Sequence, residues 1–206
     1  LEGAHIDELY CGKFHKKGTA FVATGAERSI SFWAIYGKME NYHLFSVAMN
    51  GAIVSLNFDN KNGDHFIVGS TDHCCGYFDM NECMRVRKLV GHEAIVNDTC
   101  FAREDVNLAA SVADDSTVRL WDVRKKTSAQ KFQFKYQQTA CCFADGDNSI
   151  FVGGIDNDIK VYDKRMGSVQ YKLIGHGDSI TGLALSPDGT TLASNSIGVG
   201  IVIMIL

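Results

Sequence analysis

Apolar and polar residues alternate in short runs along most of the chain, and a two-residue period predicts strands. Val118 and Leu120 alternate with Thr117, Arg119 and Trp121, and the rhythm returns through Ile159, Val161 and Asp163. On this pattern Thr117, Arg119 and Trp121 are expected to face outward. Turn-forming clusters separate the runs: Lys16-Lys17-Gly18, Asn60-Lys61-Asn62-Gly63, Asp145-Gly146-Asp147-Asn148 and Ser186-Pro187-Asp188-Gly189. Pro187 supplies the fixed φ that a type I turn needs, and Asp188 and Gly189 complete the reversal. No long segment carries a helical period, so the chain is expected to be all-β.

The strand runs recur. Gly91-His92 precedes STVRLWDVR, Gly175-His176 precedes TGLALSPDGTTLAS, and NDIKVYDKR repeats the second half of the first of these segments. One aromatic anchors each copy: Trp33, Phe78, Trp121 and Tyr162, at successive spacings of 45, 43 and 41 residues. The repeats divide the chain into units at about 3–47, 48–90, 91–133, 134–174 and 175–206, read as a single domain because such units bury their faces only by stacking on one another.

A Gly-His near the front and a Trp-Asp near the back of a unit this long resembles the WD40 β-propeller family. The resemblance implies four-stranded antiparallel blades around an axis, with the outermost strand at the closing seam supplied by the next repeat. The family most often uses seven blades, so the chain is expected to hold five repeats of a seven-bladed ring and to be a fragment, and the apolar tail from Ile201 to Leu206 is expected to be an open edge. GGIDNDIKVYD (Gly153–Asp163), GHGDSITGLALSPDG (Gly175–Gly189), STVRLWDVRKK (Ser116–Lys126), FQFKYQ (Phe132–Gln137), YCGKFHKKG (Tyr10–Gly18) and FWAIYG (Phe32–Gly37) are similar to the family's spliceosomal branch, the WD-repeat proteins of the U5 small nuclear ribonucleoprotein. That similarity implies a nuclear, non-catalytic scaffold in pre-mRNA splicing that binds large spliceosomal proteins.

Composition narrows the alternatives. Hydrophobic residues are 46% and charged residues 21%, with a mean hydropathy of -0.05, a globular balance that excludes general disorder. The longest apolar run, Ile201 to Leu206, is far short of a membrane span. The net charge of -4 favours protein partners over a phosphate backbone. Direct RNA contact would fall to Arg124-Lys125-Lys126 and Lys16-Lys17, for which solvated turn residues are the ordinary explanation. The seven cysteines form no CxxC pair, and no secretory leader is expected, so the reading is a reducing compartment without a disulfide framework or a zinc finger. Nothing calls for a cofactor or a small-molecule substrate.

Within the third unit, His92, Ser111 and Asp115 are the residue types of a hydrolytic triad. No nucleophile elbow or oxyanion loop accompanies the serine. The resemblance instead implies a structural clasp, completed by Trp121. The other units keep it unevenly. The first has His5, Thr24 at the serine position, Glu27 and Trp33; the second has Met49, Val68, Asp72 and Phe78; the fourth has Val152, Asp156 and Tyr162; the fifth has His176 and Ser194, then Gly198 and Met204. A second functional reading comes from Trp121-Asp122-Val123-Arg124 and Tyr162-Asp163-Lys164-Arg165. These resemble the WDxR tail through which substrate receptors dock on a cullin-RING ubiquitin ligase, with Arg124 and Arg165 as the contacts.

Overall fold

The alternating runs become nineteen strands in a computed structural model that describes residues 7–36, 41–46, 49–198 and 200–205. They form five antiparallel sheets in chain order. The first holds β1 (Leu9–Phe14), β2 (Ala20–Gly25), β3 (Ser29–Ala34) and β4 (Asn41–Ser46); the second holds β5 (Ile53–Phe58), β6 (His65–Ser70), β7 (Cys74–Asp79) and β8 (Met84–Val90). The third holds β9 (Val96–Phe101), β10 (Leu108–Ala113), β11 (Thr117–Asp122) and β12 (Ser128–Gln133); the fourth holds β13 (Gln138–Phe143), β14 (Ser149–Gly154), β15 (Ile159–Asp163) and β16 (Ser168–Leu173). The fifth has β17 (Ile180–Leu185), β18 (Thr191–Ser196) and β19 (Ile201–Ile205). The sheets are the blades of a five-bladed β-propeller, with a 3-10 turn at Asp145–Asp147. The apolar tail pairs with β18 along one edge, and Ile201, Ile203 and Ile205 are exposed.

Register shows the blades to be copies. Trp33 lies opposite Phe21, Phe78 opposite Phe66, Trp121 opposite Ala109, Tyr162 opposite Ile150 and Met204 opposite Leu192, each at the second position of its blade's second strand. The turn between second and third strands is also copied, with Arg28, His73, Ser116 and Asn157 at φ of 60°, 66°, 60° and 67°. A left-handed residue there lets a tight reversal feed the next strand.

Inner strands touch in the order β1, β5, β9, β13, β17, and one apolar cluster fills each junction. Phe32 and Ile30 meet Leu56 and Phe66 between blades one and two; Ile67 and Leu89 meet Phe101 and Trp121 between two and three. Leu120 and Val112 meet Ile150 and Val152 between three and four; Phe151 and Val161 meet Ile180 and Leu192 between four and five. Burying each large side chain contributes about 1.5–3 kcal/mol, so each junction is held by an apolar core of its own. Stacking on both sides corrects the outward assignment of β11: Thr117, Arg119 and Trp121 are all buried, because their face meets blade two while Val118 and Leu120 meet blade four.

Polar links cross the same junctions at one end of the inner strands. His15 lies 3.2 Å from the Gly63 carbonyl, and Asn60 donates to the carbonyls of Phe101 and Ala102. Asp147 accepts the backbone N–H groups of Arg103, Glu104 and Asp105 at 2.6, 2.9 and 2.9 Å. Arg103 donates onward to the carbonyls of Ser186 and Pro187 and pairs with Asp145 at 3.4 Å, joining blades three, four and five at one guanidinium.

Candidate functional site

The most complete polar cluster lies inside the third blade. His92 enters from the loop before β9, Ser111 from β10, Asp115 from the turn and Trp121 from β11. Gly91 leaves room beside it, since a Cβ there would lie 2.8 Å from the Arg119 guanidinium and 3.1 Å from the Trp121 ring. His92 Nδ1 is 3.0 Å from Asp115 Oδ2, and its Nε2 is 2.7 Å from Ser111 Oγ. The Trp121 indole donates to the same Oγ at 2.8 Å, and the Thr117 hydroxyl donates to Asp115 Oδ1 at 2.6 Å. One proton order satisfies every group: Trp121 N–H to Ser111, Ser111 O–H to His92 Nε2, and His92 Nδ1–H to Asp115.

Electrostatics agree with that order. Burial pushes the His92 imidazole below its ordinary value, against the upward pull of Asp115, and so favours the neutral ring. Burial would raise Asp115, but hydrogen bonds from Thr117, the Glu93 N–H and His92 outweigh it and hold the carboxyl down at about 2.

The distances are those of a serine hydrolase triad, but the surroundings are not. Ser111 is fully buried, its oxygen already accepts an indole N–H, and the His92 side chain is entirely enclosed. A groove of about 790 Å³ along the inner strands is lined by residues such as Lys13, Asn57, Asp98 and Cys141 and by none of the triad-like residues.

The remaining blades show what each substitution does. His176 Nε2 keeps the 2.7 Å contact with Ser194 Oγ, while Gly198 offers no carboxylate. In blade two, Met49 is buried where His92 would be, yet Asp72 still accepts the Asn50 N–H at 3.1 Å, as Asp115 accepts the Glu93 N–H at 3.0 Å, and adds Lys88 at 3.1 Å. Phe78 stacks on Phe66 at 5.1 Å. In blade four, Asp156 pairs with the buried Lys160 at 2.6 Å.

In blade one the register corrects one assignment. Ala23, not Thr24, occupies the position of Ser111, and Thr24 turns to the opposite face, toward blade two, where its hydroxyl has no partner. The Trp33 indole therefore donates to Ser31 at 3.1 Å. Glu27 stands half-buried in the turn before Arg28. His5 lies outside the described residues.

One participant was not legible from the Gly-His pattern. Phe134 precedes β13 as His92 precedes β9, and its ring meets Tyr162 edge-on at 5.8 Å and 62°, close to the 6.2 Å and 61° of His92 against Trp121. An aromatic just ahead of a unit lacking Gly-His was the available signal.

Four of the candidate basic residues have partners within the chain, two in their own turn and two across the junction of blades one and two. Arg124 grips Asp122 through Nε at 2.8 Å and Nη2 at 2.9 Å, and Lys125 approaches the same carboxylate at 3.8 Å. Lys17 pairs with Asp64 at 3.6 Å, and Lys16 donates to the Asn60 carbonyl. Arg165 is exposed, with its N–H bonded to Asp163 at 2.7 Å.

Comparison with known proteins places these blades among relatives. The family model "WD domain, G-beta repeat" matches residues 83–122 and 167–197. Each matched stretch begins at or just before the outer strand of one blade, β8 or β16, and continues into the next blade, so the family's unit ties consecutive sheets covalently. The chain is 41% identical over 190 residues to the human U5 small nuclear ribonucleoprotein 40 kDa protein, covering 92% of this chain and 53% of that protein. It is 36% identical over 161 residues to the Dictyostelium discoideum protein of the same name, covering 78% and 45%. Pre-mRNA-splicing factor cwf17 of Schizosaccharomyces pombe is 33% identical over 177 residues, covering 86% and 52%. The chain thus spans about half the length of these relatives.

Proposed function

We propose that this chain, which carries WD40 repeats arranged as propeller blades, serves as a non-catalytic protein-interaction scaffold of the U5 particle in pre-mRNA splicing. The observation that carries the reading is the breadth of the likeness: identity of 41% runs through 92% of the chain, across all five blades rather than the repeat skeleton of one. Stacked blades give a rigid body with two ends and a rim, each able to hold a different protein. On this reading the chain acts in the nucleus, its partners are large spliceosomal proteins, and the His92 cluster rivets a blade without performing chemistry.

Affinity purification of the tagged chain from nuclear extract tests the proposal. Recovery of U5 proteins supports it. Recovery of ubiquitin-ligase components in their place, lost on Arg124→Ala, would overturn it.

A further inference from the structure

Cys100 and Cys141 stand apart from the other cysteines. Cys100 leaves β9 toward blade four, Cys141 leaves β13 toward blade three, and their sulfurs meet at 3.4 Å inside the apolar cluster between the two blades. Neither is bonded to another cysteine, and both line the groove along the inner strands. The strands are pinned at this level, because Asp98 of β9 accepts the Cys141 N–H at 3.0 Å. Cys142 is the neighbour of Cys141, and successive strand residues point to opposite faces, so it turns away from this contact.

We propose that Cys100 and Cys141 form an oxidisable dithiol whose disulfide covalently joins blades three and four beside the groove. Hydrogen peroxide is the oxidant. The Cys100 sulfur attacks one peroxide oxygen, the O–O bond breaks, and the Cys100 thiol proton leaves with the other oxygen as water, giving a sulfenic acid. The Cys141 sulfur then attacks that sulfenic sulfur, the S–O bond breaks, and the hydroxyl leaves with the Cys141 proton as a second water. Two thiols are oxidised by two electrons, and one peroxide is reduced to two waters. Cys100 is the first to react because it retains some exposure to the groove, 8% against 2% for Cys141. The contact with Cys100 and burial raise the Cys141 thiol well above its ordinary value and keep it protonated, so it does not meet peroxide first and reacts only in the second step, where proximity favours the attack. The cross-link fixes the angle between two blades that both wall the groove, making its shape responsive to peroxide.

Peptide mapping of the folded chain under non-reducing conditions, after peroxide treatment and alkylation of remaining thiols, tests the proposal. The expected result is one cross-linked pair of peptides lighter by two hydrogens, joining the segment with Cys100 to that with Cys141, and reversed by dithiothreitol. Cys142→Ala should retain it, and Cys100→Ala and Cys141→Ala should each abolish it. The proposal is overturned if the cross-link persists in Cys141→Ala, or if Cys100 accumulates as sulfinic acid with Cys141 still alkylatable. It is overturned equally if both thiols stay reduced under peroxide that oxidises the more exposed Cys83. Circular dichroism of each variant confirms that the loss is not one of folding, and Cys100→Ser provides a second variant should alanine leave the core unfolded.

Discussion

His92 Nε2 lies 2.7 Å from Ser111 Oγ, and His176 Nε2 lies 2.7 Å from Ser194 Oγ two blades away, yet only the first imidazole also reaches a carboxylate. The same contact therefore carries different weight in the two blades. His92→Ala should lower unfolding free energy by about 1–3 kcal/mol and His176→Ala by about 0.5–1.5 kcal/mol. Met49→Ala, which removes packing and a weak 3.7 Å contact from the Arg85 guanidinium to the sulfur, should cost about 2–3 kcal/mol with no change in pH dependence. Urea unfolding of the three variants at two pH values checks the order.

The depressed carboxyl of Asp115 and the depressed imidazole of His92 act in one direction with pH. Asp115 is held at about 2 against 3.8 unfolded, so its contribution, about 2 kcal/mol, is present above pH 3.8 and lost as pH falls toward 2. His92 is held below the ordinary imidazole value of 6.5, so the unfolded chain takes up the proton first and stability begins to fall as pH drops through 6.5. Asp115→Asn should flatten the lower window and His92→Gln the upper one in a pH series of urea midpoints.

Asp98 works the other way. Removal from water pushes its carboxyl up to about 6, against hydrogen bonds from the N–H groups of Cys141 and Thr99. Its contribution is fully present below pH 3.8 and is lost as pH rises through 6. Asp98→Asn should remove that fall, measured as the difference in unfolding free energy between pH 4 and pH 7.

Much of this architecture was legible in the chain. The alternation gave the strands, and the spaced aromatics marked equivalent positions because each pairs with the same strand register. The triad-like residues were legible for the same reason, as was Asp72 in a blade that lacks the histidine. Three features were not. Two-sided burial of β11 is invisible to a period-two reading, since Arg119 is buried through contacts with Gly91 and Ser128 that the pattern does not encode. Thr24 sits one residue from the serine position, and one residue in a strand exchanges faces. Phe134 replaces an imidazole by packing its ring on Tyr162 beneath the Lys160 ammonium, which no Gly-His motif signals.

The recurrent left-handed turn residue gives a prediction independent of the clasp. His73 is exposed at φ 66°. A β-branched residue is strained there, so His73→Val should cost about 1–2 kcal/mol, whereas His73→Gly should be neutral or stabilising by up to about 1 kcal/mol. Thermal melts of the two variants should move in opposite directions or differ by at least that first amount.

The Arg124 guanidinium is already committed to Asp122, so a docking surface built on it would have to break two charge-assisted hydrogen bonds. Arg124→Ala should leave the set of co-purified proteins unchanged, compared by quantitative mass spectrometry.

Whether the His92 cluster holds a blade together or performs chemistry is decided most directly by Ser111→Ala. Urea unfolding of that variant, run beside an assay on activated esters, should show stability reduced by about 1–3 kcal/mol and no hydrolysis by either protein. Unchanged stability, together with an esterase activity present in the parent and lost in the variant, would contradict it.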